Sequence, residues 1–194
     1  MREWSKIELV PVAWEAMRRS AHIFAVALAL AYLEVQIEGP NGWASALPTW
    51  RTTDPAVTWI FGGRPVTGYH LALNCLLLLL LHWPFQFTRW TLIAEARVLH
   101  AFAVLAVIWD FLWFVINPSF GLERYGAETV WWFRHWFLGV PVDYWLGLGA
   151  AVLLRAVPSL FARESLRRAL LEGFLGVLFP VVGAAVFALA SVVI

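Results

Sequence analysis

The chain has 194 residues, of which 61% are hydrophobic and 14% are charged, and a soluble domain of this size could not hide so much apolar surface from water. Its net charge of +1 argues against nucleic-acid binding, which depends on a concentrated basic surface. The composition, with 13 Trp and 14 Phe, therefore predicts an all-α integral membrane protein with aromatic side chains at the membrane interface.

Five apolar stretches predict a bundle of about five transmembrane helices in a single domain, 1–194, because one crossing needs about 20 mostly apolar residues. Gly39-Pro40 ends the first stretch, since neither residue continues a helix cheaply. The second is centred on the leucine run 76–81, and Pro180 lies inside the fifth, where a kink is expected. The predicted helices span residues 20–39, 66–83, 93–116, 138–157 and 173–194.

The Lys and Arg residues predict a cytoplasmic N-terminus, because the cytoplasmic segments of membrane proteins carry an excess of these residues. In that orientation ten of them fall on the inner side: Arg2, Lys6, Arg18, Arg19, Arg89, Arg97, Arg155, Arg163, Arg167 and Arg168. Four fall on the outer side: Arg51, Arg64, Arg124 and Arg134. The basic stretch 163–168 is expected to lie on the inner leaflet, attracted by anionic lipid.

Two long loops, 40–65 and 117–137, then lie together on the outer side. Both are rich in aromatic residues, with Trp43 and Trp50 in the first and the run 131–137 in the second. Aromatic segments of this kind lie flat on the membrane interface and can form a lid over a site. Simple interfacial anchoring is the alternative interpretation.

A set of polar residues gathers at a similar depth in the outer half of the predicted helices or just before the fourth. A charged side chain at the bilayer centre costs about 2.5–3.5 kcal/mol on insertion scales, so it usually faces the bundle and has a function. The set consists of Glu34, Glu38, His70, Asn74, Asp110, Asn117, His135 and Asp143. The inner halves look plainer, and three histidines there are interpreted as interfacial: His22, His82 and His100.

Imidazole combined with carboxylate suits zinc, iron or manganese. The candidate metal ligands are Glu34, Glu38, His70, Asp110, His135 and Asp143. Without a metal, five of the polar residues could act as catalytic acid–base groups: Glu34, Glu38, His70, Asp110 and Asp143. Asn74 and Asn117 would orient the substrate or the ligands.

A purely structural interpretation of the polar set stays open, whereas two cofactor sites are less favoured. Hydrogen bonds among these residues could simply lock the helices together. The Glu-x-x-His spacing of two-metal helical bundles is missing from the sequence, which weighs against that class of site. Haem is not expected, because the three inner histidines lie too close to the helix ends.

The stretch 109–115, Trp-Asp-Phe-Leu-Trp-Phe-Val, resembles the acidic-aromatic segments of membrane carotenoid cyclases. The resemblance is confined to these residues and implies no residue role in this chain.

The sequence thus favours a small enzyme of the cell (plasma) membrane that acts on a lipid or another hydrophobic small molecule under the two aromatic loops. One alternative is a proton- or cation-coupled transporter, because intramembrane carboxylates are common in ion pathways. The clustering of polar residues in the outer half and the lack of an inverted repeat weigh against it. A second alternative is a non-catalytic subunit or assembly factor of a membrane complex.

Overall fold

The computed structural model of the protein describes residues 6–161 and 164–193, so the sequence-based interpretations of Arg2, Arg163 and Ile194 concern positions outside the described residues. The chain is 71% helical. The helices are α1 (Lys6–Glu38), α2 (Pro55–Thr58), α3 (Gly68–His82), α4 (Leu92–Ile116), α5 (Val142–Ala156) and α6 (Leu166–Val193). Of these, α2 is a single turn within the first outer loop.

Helix α1 begins at Lys6, whereas hydropathy places its start near residue 20. Residues 6–19 mix apolar with charged side chains, which lowers the mean hydropathy of this segment, yet the helix continues through it and through Pro11. The helix ends at Glu38, and Gly39 follows with a positive φ of 57°. The amide of Gly39 donates to the carbonyl of Val35 at 2.9 Å, which closes the last turn.

One face of α1 is buried along its whole length, at every third or fourth residue. The buried positions are Val12, Ala16, Ser20, Ile23, Ala27, Ala31, Glu34 and Glu38. Small side chains dominate this face, so α1 can pack closely against α4 and α6. The same face carries both glutamates into the interior.

At one end of the bundle, α1 and α4 finish together and α3 begins. Asn117, which follows α4, donates from Nδ2 to the carbonyl of Gly39 at 2.9 Å. His70, in the first turn of α3, lies 3.8 Å from Glu38. Helices α1 and α4 therefore run in the same direction and α3 runs against them; we call this the loop end.

At the opposite end, the second turns of α4 and α6 meet the last turn of α5. Arg97 and Arg155 both donate to Glu172 Oε2, at 3.2 and 2.7 Å. Helix α6 is therefore parallel to α1 and α4, and α5 is antiparallel to them. We call this the basic end.

An apolar layer separates the two ends of the bundle. Helix α4 lies at its centre, with Val104, Leu105 and Ile108 buried between the basic and loop ends. Ile23 and Ala27 of α1 pack in the same core. Side chains on the outer faces of the bundle, such as Leu79 and Leu189, are largely exposed, as expected of surfaces in contact with lipid.

Among the described residues, four helices are long and apolar enough to cross a membrane: Leu9–Glu38, Gly68–Gln86, Leu92–Ile116 and Leu166–Val192. The fold is therefore consistent with an all-α membrane-embedded protein. Helix α5 has only 15 residues, fewer than one crossing usually needs. A 3-10 turn, Val157–Leu160, continues its course. Helix α6 begins at Leu166, seven residues before the position expected from hydropathy.

Each outer loop is closed by a two-residue antiparallel ladder just before a helix. Strand β1 (Arg51–Thr52) pairs with β2 (Val66–Thr67) before α3, and β3 (Trp136–Phe137) pairs with β4 (Val140–Pro141) before α5. The two loops pack on each other through Trp132, whose ring occupies the space that a Cβ of Gly42 would need.

Candidate functional site

Three candidate residues meet at the loop end in one buried group. Glu34 and Glu38 are one turn apart on the inner face of α1, and His70 faces them from α3. One ligand atom from each lies within 4.8 Å of the other two. Within the described part of the chain, this is the one group of three or more His, Cys, Asp or Glu residues that could hold a metal ion.

The imidazole of His70 is fixed on two sides. Its Nδ1 is hydrogen-bonded to Thr67 Oγ1 at 2.7 Å, and the same oxygen caps α3 by accepting from the His70 amide at 3.2 Å. The indole of Trp43 stacks on the ring with centroids 4.3 Å apart. These contacts leave Nε2 directed at Glu38, the arrangement in which a polar partner orients a metal-binding histidine through its other nitrogen.

The two glutamates are held by neutral donors. Glu38 Oε1 accepts from the amide of Ala44 at 2.6 Å, and Glu34 Oε1 accepts from the Tyr69 hydroxyl at 3.3 Å. Among the described residues neither glutamate forms an ion pair with Lys or Arg. Two carboxyl groups buried side by side repel each other when ionised, so this group favours either a bound proton or a bound cation.

Asp110 and Asp143 lie beside the three-residue group but have other partners. Asp110 accepts a hydrogen bond from the Tyr144 hydroxyl, and Asp143 pairs with Arg64. The buried hydroxyl of Tyr125 lies next to that of Tyr144. Burial and the nearby Asp110 carboxylate raise the pKa of the Tyr125 phenol above its usual range, so this hydroxyl stays neutral.

The remaining candidates stand apart from the group. Asn74 Nδ2 donates to the carbonyl of His70 at 2.7 Å, one turn back in α3. Asn117 bridges the ends of α1 and α4, and its Oδ1 accepts from the amide of Ser119 at 2.9 Å. His135 is exposed in the second outer loop. The sequence-predicted set thus divides into a buried group of three residues and five residues that lie outside this group.

Arg64 is a site residue that sequence reasoning assigned only to an outer loop. Its guanidinium lies 4.7 Å from the ring centroids of both Trp43 and Phe133, and it pairs with Asp143. It therefore joins the first outer loop to the second and to α5, and it lies against the same indole, Trp43, that stacks on His70. The flanking glycines and the following Pro65 gave no signal of this role.

The inner half differs from the plain interior that the sequence indicates. His100 is buried, and its Nδ1 is hydrogen-bonded to the Ala151 carbonyl at 3.0 Å. Arg155 is 2% exposed and forms a bidentate pair with Glu164 at 2.9 and 2.5 Å. Glu172 is the centre of an arginine cluster formed by Arg19, Arg97, Arg155 and Arg168.

A count of charges along the sequence could not reveal this network, because it treated the inner arginines as independent anchors. The available signal was Glu172, a carboxylate one turn after Arg168 at the start of an apolar helix.

The loop-end group can bind a divalent cation or exchange a proton, and its aromatic cover excludes bulk water from the ligand atoms.

Comparison of the chain with models of known protein families, with curated proteins and with solved structures gives no match.

Proposed function

We propose that the protein is a small membrane enzyme that acts on a lipid or another hydrophobic molecule at the loop end. The observation that carries the proposal is the buried Glu34–Glu38–His70 group, whose ligand atoms lie within 4.8 Å of one another without a balancing Lys or Arg among the described residues. A purely structural lock does not need two adjacent acids, because each must be neutralised at a cost in stability.

A divalent zinc, iron or manganese ion is the cation that this ligand set suits best. Glu34, Glu38 and His70 would hold it, and such an ion supplies a Lewis acid or an activated water molecule. Asp110, with Tyr144 and Tyr125 around it, would hold or move a proton beside the metal. Asp143 would act indirectly, by fixing Arg64 above the site.

The proposal includes a topology of five crossings, with the N-terminus in the cytoplasm and the site in the outer half of the plasma membrane. The course of α5 supports the fifth crossing: Tyr144 near its start reaches Asp110, and Arg155 near its end reaches the basic end. The concentration of arginines at the basic end supports the orientation.

A transporter is disfavoured by the layer between the two polar ends. On α4, Arg97 and Asp110 are separated by thirteen residues, or about 20 Å of helix. The buried side chains of this interval are apolar apart from His100, which lies one turn from Arg97. Along α4, which the structure describes in full, an ion would therefore meet no buried carboxylate or imidazole between His100 and Asp110.

Metal analysis of the purified full-length chain tests the proposal. After exposure to zinc, iron or manganese and removal of loosely bound ions, we expect about one tightly held ion per chain, which Glu38→Gln and His70→Gln should abolish. Glu123→Gln, which changes an exposed loop carboxylate, is the matched control and should keep the ion.

A well-folded native protein that binds none of the three metals would overturn the metal site. If Glu38→Gln retains the ion with undiminished affinity, the metal is bound elsewhere and the assignment to this group is wrong.

A further inference from the structure

A large cavity opens between α1, α4 and α6 at the basic end. Its volume is about 940 Å³, enough for a phosphorylated headgroup together with the first part of an acyl chain. It lies on the far side of the apolar layer from Glu34, Glu38 and His70. A ligand in this cavity would therefore be distinct from the metal and substrate of the proposed function.

The walls of the cavity are strongly basic. The arginines that line it are Arg18, Arg19, Arg97, Arg155, Arg167 and Arg168. Three glutamates lie among them, with Glu15 and Glu172 in the wall and Glu164 bound to Arg155. With Arg167 left out of the count, five arginines face these three carboxylates, so the described wall of the cavity keeps an excess of positive charge.

Two polar atoms in this wall are buried and have no hydrogen-bond partner among the described residues: Ser20 Oγ and Arg97 Nε. Ser20 is 3% exposed, so bulk water does not satisfy its hydroxyl. A buried donor without a partner destabilises the protein, and a bound acceptor removes this cost. Arg97 Nε can only donate and the Ser20 hydroxyl can donate, so a single acceptor group in the cavity would serve both.

The shape of the wall indicates that the acceptor belongs to a lipid. Val12, Ile23, Leu81 and Ala101 form an apolar side of the same cavity. Ser165, just before α6, also lines it, so the positive end of that helix dipole adds to the arginines. A phosphate with several oxygens matches the guanidinium groups, and an acyl chain matches the apolar side.

We infer that this cavity binds the phosphate group of an anionic membrane lipid, with Arg97 and Ser20 as donors to the phosphate oxygens. The arginines already hold Glu172 in place, so the cavity is arranged before the lipid enters. The lipid enters from the membrane leaflet at the basic end, which is the cytoplasmic leaflet in the proposed topology.

The full-length protein in detergent is titrated with three probes, and bound species are counted by native mass spectrometry. Dioctanoyl phosphatidic acid carries both the phosphate and the chains, dioctanoylglycerol carries the chains alone, and inorganic phosphate carries the anion alone. We expect the first to bind at least about tenfold more tightly than either of the others, because it alone satisfies both sides of the cavity.

Three variants locate the site. Arg97→Gln should weaken phosphatidic acid binding about tenfold, because one charge-assisted hydrogen bond is lost. Ser20→Ala should weaken it severalfold while leaving the thermal stability of the lipid-free protein unchanged or higher, since the hydroxyl has no partner there. Arg89→Gln, an exposed arginine at the same end but outside the cavity wall, should bind normally.

Equal losses in Arg97→Gln and Arg89→Gln would mean general surface attraction and overturn the site. If dioctanoylglycerol binds as tightly as phosphatidic acid, the cavity does not recognise a phosphate and the inference is wrong. If inorganic phosphate binds as tightly, the cavity does not recognise a lipid and the inference is wrong as well. If Arg97→Gln does not fold, normal binding by Ser20→Ala is sufficient to reject the assignment.

Discussion

At the scale of single residues, Arg64 connects more parts of the loop end than any one candidate ligand does. Its guanidinium is placed between two aromatic rings while it pairs with Asp143, so the charge is shielded on both faces and balanced at the edge. Its Nε also donates to the Phe61 carbonyl at 2.8 Å. A planar cation is required, because only a flat group can stack on two rings and donate from its rim.

Replacing Arg64 by Lys therefore tests geometry separately from charge. The ammonium of Arg64→Lys keeps the positive charge but cannot stack or donate from several sites, and we expect a loss of about 1–2 kcal/mol in stability. The measurement is thermal unfolding in detergent, followed by Trp fluorescence. Arg124→Lys, in an exposed part of the second loop, is the control and should unfold at the native temperature; an equal loss in both variants would contradict the role of Arg64.

At the scale of helices, the stability of the bundle depends on small residues that let α1 and α6 approach each other. The buried face of α6 consists of Ala169, Gly173, Gly176, Pro180, Ala184 and Ala188. Phe24 of α1 packs beside this face, with its ring 6.1 Å from that of Phe187. In a membrane, where apolar side chains gain nothing by leaving lipid, such close packing is the main attraction between helices.

Enlarging one of these small side chains should force the helices apart. Ala27 is fully buried on α1, so Ala27→Leu should cost about 1–3 kcal/mol by overpacking. Ala29 is exposed on the opposite face of the same helix, and Ala29→Leu should leave stability unchanged. Thermal unfolding of both variants in the same detergent makes the comparison. Equal stability of the two variants would show that α1 does not pack in this way.

At the scale of the whole molecule, the bundle has two polar ends with different chemistry. The loop end combines two glutamates with His70 under an aromatic cover, and the basic end combines arginines with a cavity. The apolar middle of α4 separates them. Such a division suits a protein that holds a lipid at one surface of the membrane and carries out chemistry near the other.

The topology of the whole chain is tested by reporters fused at two positions. With five crossings and a cytoplasmic N-terminus, the C-terminus lies outside, because an odd number of crossings reverses the side. A reporter after Ile194 that is active only outside the cytoplasm should therefore be active, and the same reporter inserted after Arg89 should be inactive. Activity with the opposite pattern would reverse the orientation. Inactivity at both positions would indicate an even number of crossings and remove α5 from the count.

Several features follow from the sequence itself. The long apolar stretches predict helices because lipid leaves no other partner for backbone N–H and C=O groups. Gly39-Pro40 marks the end of α1 through the local cost of continuing a helix. The spacing of Glu34 and Glu38 places both on one face by the helix repeat alone. These features depend on local geometry, which a linear pattern records.

Tertiary structure alone decided which polar residues meet. Glu38 lies against His70, whereas Asp143 pairs with Arg64. These partners depend on how α3, α5 and the outer loops pack, and no spacing along the chain encodes that packing. The arginine cluster around Glu172 likewise forms only when the ends of α1, α4, α5 and α6 come together. The sequence determined that polar groups lie within the bundle, whereas the packing of helices distant in sequence determined their partners.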